Sequence, residues 1–232
     1  MWKNIKNIKN MNLLNLLRQT YFKTINKNYF SQFGEDRIIK ELIKPNYKNG
    51  FYIDVGCYHP KKHSNTYLLF KKKKWSGINI DIESDKIKTF KLLRPRDENI
   101  CSPISNKKSY VKVVKYQNFG LGSHIVKSNK SSKNSFLTNS LDEILLKSKY
   151  KNRQIDLLNI DTEGSDFKVL KSLNLKKYKP KIIIIESLEK DINEILKLDI
   201  YKYLIKFRYK LRSWNFYSLI FVLPNSKILL DR

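Results

Sequence analysis

Two carboxylates standing directly before a glycine, Asp161 and Glu163 ahead of Gly164, are the residues of this chain best placed to do chemistry. The short apolar run 155–160 precedes them, of a length and composition that suit a buried strand. After Gly164 the spacing turns helical, with Phe167, Leu170 and Leu173 on one face and Val169 and Leu173 on another. Open α/β sheets bind ligands outside the carboxyl ends of their strands, so an acid at that point can take or orient a hydroxyl proton. The competing explanation is that the pair only caps the following helix, whose N-terminus favours acids.

A second set lies earlier. Asp54-Val55-Gly56 closes one strand-like run, and Asp81 closes another 25 residues beyond Gly56. This is the pattern of nucleotide-type binding, in which a glycine lets backbone approach the ligand and an acid accepts hydrogen bonds from ribose hydroxyls. The GxGxxG fingerprint is missing, because Gly56 is followed by CYHPKK. That argues against a cradled pyrophosphate and against a nicotinamide-dependent oxidoreductase. S-adenosylmethionine, with ribose hydroxyls and no phosphate, suits Asp54, Gly56 and Asp81 better.

Other candidates carry less. His59 and His63 flank the first turn but lack the third ligand of a zinc site. Glu186 ends the run Ile182-Ile183-Ile184-Ile185 and either points into a pocket or pairs with a surface lysine. Cys57, beside Gly56, reads as a small packing residue. No metal-ligand set, Ser-His-Asp arrangement, P-loop or Asp-Pro-Pro-Tyr motif is readable.

The elements that must position these residues alternate between strand and helix. Strands are expected at 51–56, 77–81, 99–102, 110–116, 155–160 and 181–186, with a closing pair at 209–214 and 217–223. Helices are expected after Asp36, from Ser64, around 87–93, at 140–148, after Gly164 and near 199–207. Residues 117–135, rich in Gly, Ser, Asn and Lys, show no sustained period and read as a mobile insertion. The alternation predicts one doubly wound α/β domain with a parallel-rich sheet covered on both faces.

The motifs together resemble the FkbM family of S-adenosylmethionine-dependent methyltransferases. The matching pieces are SQFGED at 31–36, FYIDVGCYHP at 51–60, SNT at 64–66, WSGINID at 75–81, LLNIDTEGSDFKVL at 157–170 and IIIIE ending at Glu186. They follow the family's order over roughly residues 31–223. The resemblance implies a single class I methyltransferase (Rossmann-like) domain over 31–232, its twisted sheet mostly parallel with an antiparallel last strand and helices on both faces. It implies O-methylation of a hydroxyl on a saccharide, glycan or related small acceptor. By matched position, Asp54, Gly56 and Asp81 would line the cofactor site, and Gln32 and Glu35 would close over it. Asp161 would act as base or orient the acceptor, and Glu163 would orient the acceptor or help hold a divalent ion. Two departures stand out: Asn159 where the family commonly has Lys, and Ile82 after Asp81 where Pro is usual, so Glu83 could share the ribose role.

Composition bounds the partners. The net charge of +26 invites a nucleic-acid reading, yet 39 of the 47 basic residues are Lys, and Lys lacks the planar fork that recognises phosphates and bases bidentately. The chain has no Ala and is crowded with Asn, Ile, Tyr and Phe, as an AT-rich coding sequence would produce. Specific nucleic-acid binding is therefore not expected. An RNA- or membrane-surface-associated binding module without turnover is the alternative reading. Residues 1–30 form a basic, loosely amphipathic helical segment, a surface helix or a peripheral membrane contact rather than a secretory signal. Two cysteines without a framework and no long apolar run point to the cytoplasm.

Overall fold

A computed structural model describes residues 29–114, 123–130 and 132–230. The expected N-terminal helical segment falls almost wholly outside them. Ten strands and eight helices are formed among the described residues. The strands are β1 (Phe51–Val55), β2 (Ser76–Asp81), β3 (Glu98–Cys101), β4 (Tyr110–Val114), β5 (His124–Lys127), β6 (Ser135–Leu137), β7 (Leu157–Ile160), β8 (Ile182–Glu186), β9 (Lys210–Asn215) and β10 (Ser218–Val222). The helices are α1 (Glu35–Leu42), α2 (Tyr67–Lys72), α3 (Ser84–Leu93), α4 (Leu141–Lys147), α5 (Asp166–Lys171), α6 (Leu175–Tyr178), α7 (Ile192–Lys197) and α8 (Asp199–Lys206).

Seven strands make one sheet in the order β3-β2-β1-β7-β8-β10-β9. Neighbours from β3 to β8 run parallel, and β10 is antiparallel to both β8 and β9. This is the doubly wound, Rossmann-like arrangement expected from the alternation of elements. Strand order reverses beside β1, since the chain builds outward through β2 and β3 and then returns to lay β7 on β1's other edge. That reversal opens the crevice where α/β folds bind ligands.

Alternation along the strands splits the core in two. Phe51, Ile53 and Val55 of β1, with Leu158 and Ile160 of β7 and Ile183 and Ile185 of β8, face one apolar cluster. Tyr52, Leu157, Ile182 and Ile184 face the other. Leu145 of α4, Leu170 of α5 and Leu204 of α8 cover the first face; Ile39 of α1 and Leu69 of α2 cover the second. Burial on both faces is why these strands read as continuous apolar runs. Each isoleucine of β8 is essentially inaccessible, worth about 1.5–3 kcal/mol per side chain in removed apolar surface.

One expectation is corrected. Part of the stretch read as a mobile insertion, 124–127 with Ser135, is strand: β5 and β6 flank β4 in a three-stranded antiparallel sheet, order β5-β4-β6, inserted between β3 and α4. Strands of four and three residues are too short for alternation to stand out among the serines, asparagines and lysines around them.

Candidate active site

A cavity of ≈ 300 Å³ opens at the carboxyl ends of the parallel strands, lined by residues following β1, β2, β7 and β8. Gln32, Glu35, Asp54, Gly56, Asp81, Asp161 and Glu163, seven of the eight residues expected at the site, line it; Glu83 does not. The Glu83 carboxylate instead holds the Lys86 ammonium at 2.7 Å at the start of α3.

Gly56 is required for a reason other than ligand approach. Its φ is +77°, and a Cβ there would lie 1.7 Å from the Asp161 carbonyl oxygen. The glycine lets the ends of β1 and β7 converge, which sets Asp161 beside the first turn. Gly56 and Cys57 both donate their N–H groups to the Ile80 carbonyl, tying the same turn to β2.

Asp54 sits within β1 with both carboxylate oxygens engaged. One oxygen accepts from Thr66 Oγ1 at 2.7 Å and the other from Asn159 Nδ2 at 2.9 Å, while Asn159 Oδ1 accepts from Asn65. Burial raises its carboxyl, and the nearby Arg94 guanidinium opposes that rise. Arg94 is itself completely buried. It donates to Pro60 O, Thr66 Oγ1 and Ser64 Oγ at 2.7–2.8 Å, and to Tyr52 Oη at 3.3 Å. Tyr52 and Asn79 in turn donate to Asp97. This network pins residues 57–66 and ties that loop to Asp54 through Thr66. Sequence reading missed Arg94 and Asp97. A usable signal was present: only 8 of the 47 basic residues are Arg, and arginine survives where a rigid five-donor fork is needed.

At the end of β2, Asp81 is held rather than neutralised. Its oxygens accept from Tyr58 N at 3.2 Å and Glu83 N at 2.9 Å, and Lys86 Nζ lies 3.7 Å away. Burial raises its carboxyl and Lys86 works against that. An ionised carboxylate has about four acceptor positions, so lone pairs are left for a ligand's hydroxyls.

Across the cavity, the ends of β7 and β8 bring acids together. Ligand oxygens of Asp161, Glu163 and Glu186 all lie within 4.8 Å of one another, close enough to hold one divalent cation between them. Asp161 opens to the cavity, yet loss of water around its carboxyl pushes it well above the usual range, with Glu186, Asp166 and Glu163 adding to the rise. Burial, then Asp166 and Glu163, push Glu186 up to about 7. Glu163 holds φ +51°, a costly conformation for a non-glycine residue, while Gly164 beside it takes +89° without penalty. The capping explanation for the pair is not supported by bonds: Asp166, another residue missed in the sequence, organises the turn by accepting from Thr162 N, Thr162 Oγ1 and Gly164 N.

An aromatic rim completes this end. Phe33 stacks on Phe216 with centroids 4.7 Å apart and meets Tyr217 edge-on at 5.6 Å. Phe216 and Tyr217 form the two-residue turn between β9 and β10, and Tyr217 and Phe33 line the cavity. Phe216 is 65% exposed with φ +50°, at a position such turns usually give to glycine. Trp214 Nε1 donates to its carbonyl and Asn215 Nδ2 to that of Phe33. Of the histidines, His63 lines the cavity, whereas His59 Nδ1 accepts from Lys61 N and Lys62 N as a turn residue.

Comparison with known proteins agrees with this arrangement. No curated protein matches the chain. A family model described as the methyltransferase FkbM domain matches residues 54–211, from the paired aspartate of β1 into β9, and so takes in both ends of the cavity. On that match the chain belongs to the FkbM methyltransferase family, and its activity is methyl transfer.

Proposed function

We propose that the protein transfers a methyl group from S-adenosylmethionine to a hydroxyl of a saccharide or related small acceptor. The observation that carries this reading is the division of one cavity into a held ribose-type acid, Asp81, and a converging set of carboxylates, Asp161, Glu163 and Glu186.

The residues present fit the cofactor. Asp81 offers free lone pairs to a ribose diol, Ile82, Ile104 and Cys57 supply apolar wall beside it, and the phosphate-cradling glycines are absent. When bound, S-adenosylmethionine supplies an electrophilic methyl on a cationic sulfur that leaves as a neutral thioether. The carboxylates of β7 and β8 favour that positive charge and accept hydrogen bonds from the incoming hydroxyl. As the acceptor oxygen bonds to carbon, its proton passes to Asp161, a step worth roughly 10²–10⁴-fold. Glu163 and Glu186 orient the acceptor and keep the Asp161 carboxyl basic. Phe33, Phe216 and Tyr217 support a saccharide, because an exposed aromatic face packs against the C–H face of a sugar ring while adjacent acids take its hydroxyls.

Calorimetry with S-adenosylhomocysteine, followed by transfer of a labelled methyl group to a panel of saccharides, tests the reading. Cofactor-product binding and an alkali-stable methyl ether are the expected results. No binding, or label found only on nitrogen or as a labile ester, would overturn it.

A further inference from the structure

We propose that the outer face of the inserted β4–β6 sheet docks on an anionic lipid surface. Directly opposed residues of neighbouring strands share a face, and Lys112 stands opposite Val126, with Tyr110 opposite Leu137. With period two along β4, one face therefore carries Tyr110, Lys112, Val114, Val126 and Leu137. The other carries Val111, which is buried, and Ile125, which lines the cavity, with Lys127 and Phe136 open on its two edge strands. The first face thus points away from the domain, and its apolar members are open: Val114 39%, Val126 39% and Leu137 43% exposed.

Charge supplies the second argument. From Asn99 to Leu141 the chain has no Asp or Glu and seven Lys, although 21 acids occur elsewhere. Coding bias accounts for abundant lysine throughout the chain, but it does not empty one segment of acids. Lys107, Lys127, Lys130 and Lys133 are exposed around the sheet, while Lys108 is engaged by Glu143 at 2.8 Å. No Arg occurs between Arg96 and Arg153. Diffuse lysine charge suffices for a headgroup layer, whereas nucleic-acid recognition draws on arginine's bidentate fork. Apolar side chains set between lysines gain further by entering the acyl boundary, as surface-bound amphipathic elements do. Ser123 and Ile125 of the same insertion line the cavity, so the docked sheet stands between the lipid and one wall of the cavity. The inference stands apart from the choice of acceptor.

The test is flotation of the full chain with vesicles of phosphatidylcholine alone or mixed with phosphatidylglycerol. Binding is expected only with phosphatidylglycerol, weakening as salt rises. Lys130→Gln and Lys133→Gln should each weaken it about fivefold, and Val126→Asp with Leu137→Asp on the order of tenfold. Lys176→Gln with Lys177→Gln, exposed on α6, should change it less than twofold. An unaltered thermal transition by circular dichroism shows that each variant is folded, and the lysine variants alter only exposed side chains. The proposal is overturned by equal losses in the α6 control, by unchanged binding in the insertion variants, by no binding to either vesicle, or by an RNA oligonucleotide bound in preference to the vesicles.

Discussion

The two ends of the cavity use the same device, an aspartate at the tip of a parallel strand, and finish it in opposite ways. At β2, Asp81 is gripped by two backbone N–H groups and partly balanced by Lys86, itself shared with Glu83. At β7, burial pushes the Asp161 carboxyl upward and Glu186, Asp166 and Glu163 add to the rise. Asn159 sharpens the contrast: where the family commonly has a lysine, it carries no charge and spends its amide on Asp54 and Asn65. A compensated acid is a binding group whose geometry persists whatever arrives. An acid desolvated beside other acids is raised above the usual carboxylate range and takes up a proton more readily, which is the requirement on a general base.

Replacing the base should break the comparison most severely. Asp161→Asn is expected to lower turnover by about 10²–10⁴-fold while leaving S-adenosylhomocysteine affinity within a few-fold, measured by calorimetry on the same preparation. Turnover at the wild-type rate would remove Asp161 from the chemistry. Asp81→Ala should do the converse. Losing hydrogen bonds to a charged acceptor is expected to weaken S-adenosylhomocysteine binding about tenfold to hundredfold, with turnover at saturating cofactor much less affected. Equal damage to binding in both variants would erase the distinction between the ends.

Sequence and structure agree unevenly along the chain, for reasons visible in particular residues. The sheet was legible because β1, β7 and β8 are buried on both faces, leaving unbroken runs such as IIIIE that end in a polar residue. Asp161 and Asp81 were legible because each closes such a run, and Glu163 because it stands between Asp161 and Gly164. What escaped was long-range. Arg94 contacts Pro60, Ser64 and Thr66 from about thirty residues away, and nothing near it in sequence announces a buried fork. The aromatic rim joins Phe33 to Phe216 across nearly the whole chain, and each residue alone is an ordinary phenylalanine. Glu83, by contrast, followed Asp81 closely enough to look like its partner, but helix geometry turned it toward Lys86.

The raised acids predict a pH profile. With Glu186 near 7 and Asp161 above the usual carboxylate range, the base is protonated at low pH. Activity should therefore climb about tenfold per pH unit below the controlling pKa and level off above it. Measured in a chelator, the profile should keep its shape and height. A loss restored by Mg²⁺ or Mn²⁺ would reassign Asp161, Glu163 and Glu186 as ligands of a cation.

The smallest effect is on stability, and its sign separates the ends again. Glu186 has a folded-state pKa of about 7 against an ordinary value of 4.5. Between those values the folded chain binds more protons than the unfolded one, so its contribution is fully present below the ordinary value and is lost as pH rises through about 7. Above that, the folded state holds a carboxylate against Asp166 and Glu163. Glu186→Gln is therefore expected to stabilise the fold by about 1 kcal/mol at pH 8 and to change little at pH 4, the figure being discounted for the solvent that reaches this half-buried group. Urea unfolding at the two pH values measures the difference. Asp81→Ala should show no such gain, because Lys86 opposes the rise that burial gives Asp81 and loss of the Asp81 carboxylate frees two backbone donors. Equal stabilisation by both substitutions would mean that the acidic end stores no more repulsion than the cofactor end.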